Sequence, residues 1–117
     1  AKHVVVAIGT NNLSINSNEE IIAGLKLLLE AIQLRQPGTG ILLSGIFPRR
    51  DMEKRVREIN VAITRLAAAM KVTYIDPGRV LLTSAGKIDE RLFSDGLHPN
   101  AAGYNKLAPV LAAYLKK

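Results

Sequence analysis

The chain has 117 residues, 48% of them apolar, a formal charge of +6 and no cysteine. Its size suits one domain (residues 1–117) with a single core, and no charge-rich or low-complexity stretch points to disorder. The lack of cysteine excludes disulfides, thiolate metal sites and cysteine nucleophiles but leaves the compartment open, and no apolar run approaches the ~20 residues of a membrane-spanning helix.

The opening run His3-Val4-Val5-Val6-Ala7-Ile8 is almost wholly apolar, as suits a parallel strand buried on both faces. Gly9-Thr10-Asn11-Asn12 follows as a turn. Ser17 and Glu20 form a capping box, and Ile21, Ile22, Leu25, Leu28, Leu29 and Ile32 keep helical spacing to about Arg35, where Gln36-Pro37-Gly38 stops the helix. Ile41-Leu42-Leu43 predicts a second buried strand, and Ser44-Gly45-Ile46-Phe47-Pro48 the loop after it. A second helix is expected from about Asp51 to Met70, striped by Val56, Ile59, Ile63 and Leu66. Val72-Thr73-Tyr74-Ile75 reads as a third strand, ended by Asp76-Pro77-Gly78. A long irregular segment then reaches His98, and Asn100 caps a final helix over about 101–115, which Pro109 is expected to kink or divide.

Strand and helix alternate three times, which predicts an α/β fold: a parallel sheet with right-handed crossovers and helices packed against it. Working groups in such sheets collect past the carboxyl ends of the strands. Asn11 and Ser44 lie just past strand ends, and the Asp95–His98 loop follows the third strand, so one rim is expected to carry them all. The positive charge is densest from Arg49 to Glu58, where acids interrupt the bases and stacking aromatics are absent. That pattern reads as a solvated helix face, and no nucleic-acid partner is expected.

Ser94-Asp95-Gly96-Leu97-His98-Pro99-Asn100 places an acid and a base three residues apart. A general-base histidine needs a carboxylate on one ring nitrogen to fix its tautomer, and a D-x-x-H turn brings the two together. Gly96 lets the turn tighten, and Pro99 biases His98 towards extended backbone. Asn11, just past the first strand, offers a neutral donor for a developing oxyanion, and Gly9 permits the sharp exit. Each motif also has a plain reading, an incidental surface histidine and an asparagine-rich turn.

Together the blocks resemble the SGNH, or GDSL-type, esterase and lipase family. Gly9-Thr10-Asn11-Asn12 is similar to its G-x-N-D block and Asp95-Gly96-Leu97-His98 to its D-x-x-H block, in the right order across nearly the whole chain. The flavour is that of platelet-activating-factor acetylhydrolase-like and carbohydrate acetylesterase members, where G-T-N-N can replace G-T-N-D. The resemblance implies a three-layer α/β/α flavodoxin-like fold, Asn11 as oxyanion donor, His98 as general base and Asp95 as its orienting acid. It implies hydrolysis of small acyl esters, acetyl esters foremost, with no metal or organic cofactor.

The family's G-D-S nucleophile block does not occur in the sequence, and Ser14, Ser17, Ser44, Ser84 and Ser94 each read as structural. The chain, which opens on Ala1 without an initiator methionine, is accordingly expected to be the C-terminal portion of such an enzyme. Its serine would come from an N-terminal segment or companion chain. Residues 3–8 would then present a bare apolar strand edge that pairs with that fragment or with a second copy. The alternative is a catalytically inactive fragment that associates through this strand.

Overall fold

A computed structural model of the chain describes residues 3–7 and 12–115, apart from the side chains of residues 12 and 14. The elements run β1 (His3–Val6), α1 (Asn12–Ile15), α2 (Asn18–Arg35), β2 (Gly40–Ser44), α3 (Glu53–Met70) and β3 (Thr73–Ile75). Two 3-10 turns (Pro77–Leu81 and Glu90–Leu92) and α4 (Ala101–Leu115) complete them. The three strands form a parallel sheet in the order β1-β2-β3, with Val4 opposite Ile41 and Leu43 opposite Tyr74.

The central strand β2 buries Ile41, Leu42, Leu43 and Ser44. β1 buries only Val6 and leaves Val5 41% exposed, because among the described residues it has a neighbour on one side alone. A strand composed for burial on both faces is therefore an edge here.

The capping box forms: Ser17 Oγ accepts from Glu20 N at 3.1 Å, and Glu20 Oε1 accepts from Ser17 N at 2.8 Å. The Ser17 bonds, the backbone N–H foremost, hold the Glu20 carboxyl below its ordinary range. α2 turns Ile21, Leu25 and Leu29 inward but leaves Leu27 69% and Leu28 45% exposed. α3 starts at Glu53, two residues later than expected, because Asp51 is left-handed (φ +64°) in a tight turn closed by Met52 N on Arg49 O. Its stripe of Val56, Ile59, Ile63 and Leu66 is buried, and α2 packs against α3.

Two apolar cores result among the described residues. The larger gathers Val6, Leu25, Leu29, Leu43, Ile59 and Ile63 between sheet and helices. The smaller gathers Leu81, Ile88, Leu92, Phe93 and Leu107 under the irregular segment and α4. Each such side chain, fully buried, contributes about 1.5–3 kcal/mol. The segment after β3 is thus ordered by its own core. It also carries antiparallel bridges, Leu82 with Ile88 and Phe93 with Pro99.

α4 is not divided at Pro109. The ring removes the N–H that Asn105 O would accept, but Pro109 is exposed and water can take its place.

Candidate active site

The turn from Ser94 to Asn100 wraps around one carboxylate. Asp95 Oδ1 accepts from Leu97 N at 2.9 Å and from His98 N at 2.7 Å. Its Oδ2 faces His98 Nδ1 at 2.9 Å. The backbone and side-chain bonds from His98, followed by that from Leu97 N, hold the Asp95 carboxyl well below the usual carboxylate range. Gly96 makes the curl possible at φ +78°, where side-chain-bearing residues are strained. With a carboxylate fixed on Nδ1, the neutral ring carries its proton there, which leaves Nε2 able to take a proton from another group. No described residue hydrogen-bonds Nε2, and the His98 side chain is 63% exposed.

The turn is anchored at both ends. Ser94 N donates to His98 O at 3.0 Å, and Ser94 Oγ donates to the same oxygen at 3.2 Å. That hydroxyl is committed to the turn that carries His98. Asn100 Oδ1 accepts from Gly103 N at 3.0 Å as the cap of α4, while its Nδ2 donates to Arg91 O and Phe93 O at 2.9 and 3.3 Å. The loop after β2 reaches the same turn, since Arg50 N donates to Gly96 O at 2.8 Å.

Other expected positions fall as follows. Asn11 and Gly9 lie outside the described residues. Ser44 is buried, its Oγ donating to Gly45 O at 2.8 Å. Gly45 has no room for a Cβ, which would collide with Tyr74 Oη. Asn60 of α3 clamps the following residue, accepting from Ile46 N at 2.7 Å and donating to Ile46 O at 3.2 Å. A cavity of about 340 Å³ between α3 and β3, lined by Ile46, Asn60, Tyr74, Asp76 and Arg79, does not include His98. Burial there pushes Tyr74 up to about 12 and raises Asp76.

The stretch from Arg49 to Glu58 is not simply a solvated face. Glu53 is buried, and its Oε2 accepts from Ile88 N at 3.2 Å. The Arg55 guanidinium binds Leu13 O, Asn16 O at 2.7 Å and Asn18 Oδ1 at 3.2 Å, which ties α1 to α3. Nothing local in the sequence announces these contacts, whose partners lie 35–42 residues away.

A model of the GDSL-like lipase/acylhydrolase family matches residues 1–106. The chain belongs to this family. Among the GDSL-like relatives, platelet-activating factor acetylhydrolase IB subunit alpha2 of Mus musculus is 32% identical over 117 residues, covering 94% of this chain and 50% of its own length. The human alpha2 subunit is 30% identical over 115 residues with the same coverage. The chain thus spans about half the length of the curated relatives it matches. A solved Streptococcus pneumonia protein named for platelet activating factor superposes with a TM-score of 0.88 at 26% identity, over 98% of this chain and 60% of that one.

Proposed function

We propose that these 117 residues are one domain, the C-terminal portion of a GDSL-like acyl-ester hydrolase, and that they supply its acid and base. The reading rests on one observation, the His98 Nδ1–Asp95 Oδ2 contact at 2.9 Å on a turn whose His98 side chain is 63% exposed. In the proposed reaction a serine hydroxyl attacks the ester carbonyl while His98 Nε2 takes its proton. Asn11, in the turn opened by Gly9, donates to the tetrahedral oxyanion. Collapse expels the alcohol, which recovers the proton from His98, and water then attacks the acyl-serine by the same base. Asp95 stays ionised throughout and holds the ring in one tautomer.

The serine belongs to an N-terminal segment or companion chain carrying a G-D-S block, joined along the free edge of β1. The substrate is a small ester, with acetyl as the acyl group. The acetylhydrolase names of the relatives support that choice. A second reading is favoured by the exposed edge itself, where β1 leaves Val5 open. There the chain is an inactive partner that binds through β1.

p-Nitrophenyl acetate separates the two. Hydrolysis is expected when a G-D-S-bearing segment is added, and His98→Ala is expected to abolish it. Binding of the segment without hydrolysis gives the second reading, and activity unchanged in His98→Ala removes His98 as the base.

A further inference from the structure

We propose that Arg50 is a positioning residue for the Asp95–His98 pair, locking the turn that carries them; its catalytic meaning rests on the esterase reading above. Arg50 meets the turn in two ways. Its N–H donates to Gly96 O at 2.8 Å, and its guanidinium lies against the open face of Gly96. A Cβ on Gly96 would come within 2.6 Å of Arg50 Cζ and 2.9 Å of its Nε.

The guanidinium is itself fixed. Arg50 Nε and Nη2 donate to Glu90 Oε2 and Oε1 at 2.8 and 2.5 Å, a two-pronged bond that sets the plane as well as the position of the group. Its backbone is held by the Arg49–Met52 turn with left-handed Asp51. Glu90 begins the 3-10 turn just upstream of the acid–base loop. Arg50 therefore spans from the loop after β2 to both the start and the tip of that loop.

The two N–H bonds to Asp95 Oδ1 exist only while residues 96–98 curl around the carboxylate. The curl depends on Gly96 staying at positive φ, and a flat cation seated over Gly96 blocks its unwinding. The Arg50 and Glu90 side chains are 50% and 54% exposed. An ion pair this open adds little to global stability, so its fixed geometry serves the turn rather than the fold.

The test is imidazole ¹⁵N and ¹H NMR on this chain at a pH where His98 is neutral, with His3 as internal reference. The wild-type chain is expected to show a slowly exchanging Nδ1 proton on His98. Arg50→Ala is expected to lose that signal while the His3 resonances stay in place. Glu90→Gln, which offers Arg50 one amide oxygen in place of two carboxylate oxygens, should weaken it. The Arg50→Gln/Glu90→Gln double variant, which keeps the local net charge, should lose it, marking the effect as geometry rather than charge. An unchanged His98 signal in Arg50→Ala and in the double variant overturns the proposal. In the complete enzyme Arg50→Ala should lower kcat about tenfold to a hundredfold at unchanged KM. A lost His98 signal supports the positioning role whether or not ester is hydrolysed, and failure to hydrolyse counts against the esterase reading alone.

Discussion

Replacing Asn100 by alanine removes three hydrogen bonds at the point where the Asp95–His98 turn becomes α4. The side-chain oxygen caps the helix through Gly103 N at 3.0 Å. Loss of such a cap costs about 1 kcal/mol. The amide nitrogen holds Arg91 O at 2.9 Å and, less well, Phe93 O at 3.3 Å. One of these bonds is exposed and the other long, so together they contribute roughly 1 kcal/mol. Asn100→Ala should therefore lower stability by about 2 kcal/mol, and Tm by on the order of 10 °C for a chain of this size. Asn100→Ser keeps a capping oxygen and loses the donors, so it should recover about half of the loss. Urea and thermal unfolding of the three proteins measure this. An alanine variant within 0.5 kcal/mol of wild type, or a serine variant no better than alanine, would refute the apportioning.

Acid should act through Asp95. Its folded carboxyl is depressed, so its contribution is complete above the unfolded carboxylate value of about pH 4 and is lost as pH falls through the lower folded value. The stability gap between wild type and Asp95→Asn should accordingly shrink on acidification below about pH 4; urea melts that show a gap independent of pH would contradict this. Gly103→Ala should destabilise, because the new methyl would collide with Leu92 O and approach Pro99 Cβ at 2.9 Å. That clash costs roughly 1–3 kcal/mol against a helix-propensity gain of ~1 kcal/mol, so a Tm at or above wild type would count against the packing described.

The parts legible in the sequence are those set by local chemistry. Apolar periodicity located β2, α2 and α3, and single polar side chains located their ends: Ser17 with Glu20 for α2 and Asn100 for α4. The D-x-x-H spacing was enough to place Asp95 on His98, because the bonds that Asp95 itself accepts span two or three residues. What local reading missed depends on distant partners or on backbone that side chains do not advertise. Asp51 gives no hint of its positive φ, and α3 starts late because of it. Glu53, Arg50 and Arg55 look like any charges on a helix start, yet each meets a partner at least 35 residues away. Pro109 does not divide α4, since at that exposed position water can take the place of the lost N–H.

The division of the described apolar interior into two cores bears on where His98 is mounted. Leu92 and Phe93 lead directly into the Asp95–His98 turn, and Leu107 holds the helix that follows it; all three belong to the smaller core. His98 is thus carried on residues packed into the smaller core, while the sheet is packed into the larger one. A local loosening of the smaller core should therefore reach the Asp95–His98 turn before it reaches β1, β2 and β3, which faster amide exchange at Leu92 and Phe93 than at Leu43 would report.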